Sequence, residues 1–151
     1  MIKVFIGGSR NITNLTDELR TRIDRIIENR YPILIGDANG ADKAVQQYLK
    51  NRQYDLVEIF FIEGYCRNNV GNWPERAIPA PDGKKDFKYY EAKDKVMAEE
   101  ASIGLMIWDG KSLGTLMNAC RLIDKQKKVV MYVAPRKEYI TLQTNDDLEK
   151  L

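Results

Sequence analysis

A chain of 151 residues, 44% hydrophobic and 30% charged, is one domain's worth of polypeptide with enough apolar side chains for a single core. Its 24 basic and 22 acidic residues leave a formal net charge of +2, too small for the electrostatic footprint of a dedicated nucleic-acid binder. It has no histidine, which excludes Ser-His-Asp and Cys-His catalysis and imidazole-based metal sites.

The first apolar run, Ile2 to Ile6, reads as a core strand and not as the start of a signal peptide. Thr16 followed by Asp17 and Glu18 predicts a helix start, after which Leu19, Ile23, Ile26 and Ile27 fall at helical spacing on one stripe. A second strand, Ile33 to Ile35, leads into a helix with Ala41, Val45, Tyr48 and Leu49 on one face, and Leu56 to Ile62 is the third strand. From Glu63 to Lys85 the pattern is irregular, punctuated by Gly64, Gly71, Pro74, Pro79, Pro81 and Gly83, so residues 63–85 are expected to be a long loop or lid. A third helix is predicted from about Phe87 to Ala101 and a fourth strand from Ile103 to Trp108. The fourth helix, from about Thr115 to Lys127, is expected to turn Leu116, Ala119, Cys120 and Ile123 to the core, with Lys127 and Lys128 at its end. A fifth strand follows at Val129 to Val133, and residues 139–151 form a C-terminal extension expected to add a short edge strand and a frayed end.

Short Val-, Ile- and Phe-rich runs alternating with amphipathic helices predict an α/β fold, a single Rossmann-like domain with a doubly wound parallel sheet of about five strands. Cys66 and Cys120 form no CxxC pattern, and no run approaches the roughly 18 apolar residues that span a bilayer. The expected setting is the cytoplasm, without a membrane partner.

Ligands of open parallel sheets sit beyond the carboxyl ends of the strands, and three of those ends carry glycine here. After the first strand, Gly7 and Gly8 let the backbone approach an anion, and Ser9 and Arg10 are placed to donate to it. After the second, Gly36-Asp37-Ala38-Asn39-Gly40-Ala41-Asp42-Lys43 opens a helix whose free N–H groups lie at the positive end of its dipole. Asp37 and Asn39 are candidate caps, whereas Asp42, inside the first turn, is a candidate acceptor for ribose hydroxyls. After the fourth comes Asp109-Gly110-Lys111-Ser112-Leu113-Gly114-Thr115, with Asn118 on the helix face that carries Thr115.

Three such turns on one rim predict a shared pocket for a phosphate-bearing or ribose-bearing small molecule. Arg10, Lys43, Arg67, Lys93 and Lys111 are the candidates for neutralising phosphate, and Asp42, Asp109 and Asn118 for reading ribose or base. Trp73 and Trp108 are candidate stacking partners for a base, although Trp108 ends a core strand. Neither GxxxxGK[ST] nor GxGxxG occurs, so an ordinary Walker-type NTPase is not expected. The pattern calls for no metal and no cofactor.

The turn Gly7-Gly8-Ser9-Arg10, the block GDANGADKAVQQYL from Gly36 to Leu49, and KDKVMAEEASIGLMIWDGKSLGTLMNA from Lys93 to Ala119 together resemble the SLOG superfamily, above all its YspA-like branch. The pattern there is Gly-Gly-Arg after the first strand, GGAxGAD at the second, and an Arg-x-x-x-Met-Ala helix leading to PGGxGT at the fourth. The match runs from Met1 to about Val133. It implies a Rossmann-like domain that binds nucleotides or nucleotide-derived ligands, commonly as a homo-oligomer. The superfamily includes enzymes, the Lonely-guy phosphoribohydrolases and the similar nucleoside 2-deoxyribosyltransferases, and also sensors of signals such as cyclic ADP-ribose isomers.

The hydrolases' turn reads PGGxGTxxE, with a catalytic glutamate. Here Gly114 and Thr115 match, but the glutamate position holds Asn118, and an amide cannot serve as nucleophile or base. Their arginine corresponds to Lys93, which keeps the charge and loses the bidentate fork. Trp108 to Leu113 replaces the proline and one glycine with a longer turn carrying a carboxylate. The expectation is therefore a binder that senses or sequesters a nucleotide-derived small molecule, such as an ADP-ribose-type or cyclic nucleotide. The alternative is an N-glycosidase or transferase acting on a nucleoside or nucleoside monophosphate, with Asp109 chosen as catalytic carboxylate over Asp37, Asp42 and Asp94. Nucleic acid is not an expected partner.

Overall fold

The computed structural model of the chain describes residues 1–81 and 87–151. The elements run β1 (Val4–Gly8), α1 (Asp17–Glu28), β2 (Ile33–Gly36), α2 (Ala41–Asn51), β3 (Val57–Ile62), β4 (Glu75–Ile78), α3 (Phe87–Glu100), β5 (Ile103–Trp108), α4 (Leu113–Asp124), β6 (Lys128–Val133) and β7 (Glu138–Leu142). Short 3₁₀ helices occupy Ala134–Arg136 and Asn145–Lys150. One α/β domain results, with its sheet ordered β4-β3-β2-β1-β5-β6-β7 and every pairing parallel except β6 with β7.

The sheet has seven strands where the apolar runs count about five. β4 lies within the stretch expected to be loop, bracketed by Pro74 and Pro79, and shows no apolar run because it is an edge strand of which only Ile78 is buried. Its Arg76 is held by Glu58 on β3, at 3.0 Å, and by Glu100 at the end of α3. The end of that stretch, residues 82–85, lies outside the described residues. β7 is the edge strand expected in the tail, but the tail does not fray. Thr144 and Asp147 form a capping box for the last 3₁₀ helix, and Leu148 and Leu151 pack onto the core.

Sequence periodicity fixes the two layers that cover the sheet. Thr16 caps α1 by accepting the Leu19 N–H at 3.3 Å, and α1 and α2 turn Leu19, Ile23, Ile26, Val45 and Leu49 onto the face made by Val4, Ile6, Ile33, Ile35 and Ile59. The opposite face, with Phe5, Leu34, Phe60 and Met131, is covered by α3 and α4. The α4 stripe differs from expectation: Thr115, Asn118, Ala119, Leu122 and Ile123 are buried, and Leu116 and Cys120 only half-buried. Lys127 does not close α4. Its ammonium caps α3, donating to the carbonyls of Ala98 and Glu99, both at 2.7 Å. Among the described residues no helix is long and apolar enough to cross a membrane.

Candidate functional site

β1 is flanked by β2 on one side and by β5, a crossover later, on the other. At such a switch point the connecting loops diverge to opposite faces and leave a crevice beyond the strand ends. A cavity of about 580 Å³ occupies that place. Gly7 and Gly8 line it from β1, Gly36 from the end of β2, Ala38 from the turn after it, Lys111 and Ser112 from the turn before α4, and Gly114 and Thr115 from the first turn of α4. The fourth wall is α3, through Tyr90, Glu91, Lys93, Asp94 and Met97.

Three loops are locked together behind this surface, chiefly by Ser9. Its carbonyl accepts the Ala41 N–H at 3.1 Å, its hydroxyl accepts the Asp109 N–H at 3.1 Å and also meets the Thr115 hydroxyl at 3.3 Å. Ser9 is therefore a bolt between the loops and does not line the cavity. Backbones also cross closely here. A Cβ on Gly40, at φ +82°, would lie 2.2 Å from the Arg10 carbonyl oxygen, and one on Gly8 would lie 2.7 Å from that of Ile107.

The remaining candidates divide by what they already hold. Asp37 does not cap α2, and Gly40 at the cap position supplies no side chain. Asp37 instead accepts from Arg67 through the backbone N–H at 3.0 Å, Nε at 3.1 Å and Nη2 at 2.9 Å. Burial pushes its carboxyl up, but Arg67 outweighs burial and holds it below the usual range. Asn68 donates to the Asp37 carbonyl and to Asn39, and Gln46 donates to the Asn68 carbonyl, so the start of the expected lid is fastened to the β2–α2 turn. Arg67 is thus occupied as a tie, and Asn39 and Lys43 face outward, away from the cavity. Trp73 and Trp108 are both core residues, their indole N–H groups spent on the carbonyls of Tyr54 and Ser112.

Asp109 lines the cavity but organises the α4 turn. One oxygen accepts the N–H groups of Lys111 and Ser112, both at 2.8 Å, while the other receives Asn11 at 3.4 Å. Desolvation works against its charge, yet these donors prevail and its carboxyl is held low. Gly110, at φ +88°, makes that turn possible.

Two charged groups on the cavity wall are themselves buried: Asp42 and Lys93, 7% and 6% exposed. A Cβ on Gly36 would lie 2.7 Å from Asp42 Oδ2 and 3.3 Å from Lys93 Nζ, so carboxyl and ammonium flank the glycine without forming an ion pair with each other. Asp42 Oδ2 accepts the Ala38 N–H at 3.2 Å. Its other oxygen takes no hydrogen bond, and no buried side-chain oxygen among the described residues lacks a partner, so that oxygen is open to the cavity. Burial, with Asp94 and Asp37 nearby and Lys93 opposing, pushes the Asp42 carboxyl up to about 7. Burial works to lower Lys93, but Asp94, Asp42 and Asp37 outweigh it and raise it. Lys93 donates to Asp94 at 3.1 Å, Asn118 donates to Asp94 at 3.4 Å, and Arg121 donates to Asn118 at 2.7 Å while pairing with Glu91. Lys93 and Arg121 are therefore neutralised within the wall. Arg10 and Lys111 are not: neither has a carboxylate partner among the described residues, although Arg10 lies 5.7 Å from the centre of the Tyr90 ring.

Sequence reasoning missed Phe5, Asn11, Tyr90, Glu91, Met97 and Arg121 as lining residues. The spacing of Tyr90, Lys93 and Met97 on one helix face was the available signal for the α3 wall. A second depression, about 590 Å³, follows Lys95, Glu99, Arg121 and Lys125 along α3 and α4, shares Arg121 with the first cavity and is crossed by the Lys125–Glu99 ion pair. No protein-family model matches the chain, and neither a curated protein nor a solved structure matches it.

Proposed function

We propose that the protein binds a nucleotide or nucleotide-derived small molecule in the cavity at the β1/β5 switch point, as a sensor or sequestering module of SLOG type. The observation that carries this is the division of charge. Arg10 and Lys111 stand unpaired among the described residues on the wall of the cavity that the first turn of α4 also lines through Gly114 and Thr115, where no side chain caps the helix and its N–H groups are free for an anion. The cations deeper in the cavity are already matched by Asp94 and Glu91, and an open oxygen of Asp42 lies among them. A ligand with an anionic group at one end and a neutral, hydroxyl-rich body fits that arrangement, with the phosphate at Arg10, Lys111 and Gly114 and the sugar against Asp42, Asp94 and Asn118. Lys43 and Arg67 have no direct part in it. The SLOG resemblance supports the same ligand class and adds the expectation of a cytoplasmic homo-oligomer, which sedimentation velocity tests.

One observation favours a second function, cleavage or transfer at an N-glycosidic bond. Asp42 offers the cavity a carboxyl that is half protonated near neutral pH, as a general acid requires. In that case the catalytic carboxylate is Asp42 and not Asp109, one of whose oxygens is spent on the α4 turn and whose carboxyl is held low.

The deciding experiment incubates purified protein with nucleoside monophosphates, dinucleotides and ADP-ribose-type compounds, then compares the free fraction with what heat denaturation releases. An intact compound recovered only after heating supports binding. Free base accumulating with time supports the enzyme, and Asp42→Asn then abolishes it while Asp109→Asn does not. If no compound is retained and no base is released, both readings are contradicted.

A further inference from the structure

The face of the sheet that carries α1 and α2 is unevenly covered. Both helices follow strands on the β1-to-β3 side, and β6 connects to β7 through a 3₁₀ turn where a helix would have covered β5 and β6. Between α1 and the starts of β1, β5 and β6 this leaves a cleft of about 280 Å³, at the opposite end of the strands from the nucleotide cavity. Its floor is aliphatic, made by Val4, Ile26, Leu105 and Val130. Its rim carries Arg22, Arg25 and Lys128, and among the described residues no carboxylate lines it. Arg22 lies over the Tyr139 ring at 4.5 Å, whereas the side chains of Arg25 and Lys128 make neither an ion pair nor a hydrogen bond among the described residues.

We infer that this cleft is a second binding site, for a small amphipathic carboxylate whose aliphatic tail covers Val4, Leu105 and Val130 and whose head lies between Arg25 and Lys128. The floor residues are themselves 2–8% exposed, so the apolar gain comes from the tail leaving water in the cleft, and two unpaired cations at the edge select an anionic head. At about 280 Å³ the cleft has room for a medium-length aliphatic tail. The carbonyl end of α1 lies at this edge and opposes negative charge there, so a singly charged head between Arg25 and Lys128 is penalised less than a doubly charged phosphate. A second copy of the chain does not suit the cleft, because a two-fold contact would set identical cationic rims against each other.

The test is calorimetric titration of the full chain with decanoate, decanol and butyrate, each below its micellar or solubility limit, with backbone NMR shifts to locate the contact. Decanoate is expected to bind with shifts at Val4, Leu105 and Val130, at least tenfold more tightly than decanol, which lacks the charge, or butyrate, which lacks the tail. The double variant Arg25→Gln, Lys128→Gln, at two exposed positions, is expected to lose at least tenfold for decanoate with an unchanged circular dichroism spectrum. Absence of decanoate binding, equal binding of decanol, shifts elsewhere, or an unaffected double variant would each overturn the assignment. Arg10→Glu, at the other end of the sheet, should leave decanoate binding intact.

Discussion

Replacing Asp42 with asparagine removes the carboxyl that the fold shifts most directly into the neutral range. Its folded value of about 7 lies above the ordinary 3.8, so the folded chain holds a proton that the unfolded chain has released between those limits. Stability from this group is therefore complete below pH 3.8 and is lost as pH rises through about 7. Each pH unit in that window costs about 1.4 kcal/mol, so wild-type stability should fall by about 2 to 3 kcal/mol between pH 5 and pH 8. The variant keeps an oxygen for the Ala38 N–H and carries no ionisable group, so its stability should stay nearly flat. Urea unfolding followed by tryptophan fluorescence reads this cleanly, because Trp73 and Trp108 are both buried and the chain has no histidine to titrate in the same window. A wild-type curve flat to about 0.5 kcal/mol, or an equal slope in the variant, would show that the buried Asp42–Lys93 arrangement is wrong.

Two glycines at the same rim should respond oppositely. Gly8→Ala places a methyl 2.7 Å from both the Ala41 Cβ and the Ile107 carbonyl oxygen and should cost about 2 kcal/mol by thermal unfolding. A Cβ on Gly114 meets nothing within 4 Å, so Gly114→Ala should raise the melting temperature through helix propensity while crowding the anion end of the cavity and weakening ligand binding. Arg67→Ala leaves the buried Asp37 carboxylate without its partner. It should destabilise by about 2 kcal/mol at pH 7, after allowance for the partial exposure of Arg67, and should speed amide exchange across residues 64–73. Because Asp37 is held low by Arg67, wild-type stability from this pair is present above pH 3.8 and fades below it, and the variant should show a weaker acid limb.

The five central strands and both helical layers were legible because doubly buried strands are continuous apolar runs and helices carry one apolar stripe. β4 was not, since an edge strand held by the Arg76 ion pairs needs almost no apolar residues. The site was legible at its glycines, where backbone approach leaves a mark in the sequence. The roles of its charged residues were not, because pairing depends on distance: Arg67 looks like a phosphate ligand until Asp37 is seen beneath it, and Lys43 until its helix face is known. Asp42 and Asp109 exchanged prominence for the same reason. One is surrounded by N–H donors supplied by its own turn, the other by burial and like charge.

The most direct measurement is equilibrium dialysis of AMP, ADP-ribose and cyclic AMP against wild type, Arg10→Glu and Lys43→Glu. Wild type should retain at least one of them, Arg10→Glu should lose it by at least tenfold, and Lys43→Glu should retain it like wild type. Retention by none, or equal loss at both positions, would contradict a nucleotide site at the β1/β5 switch point.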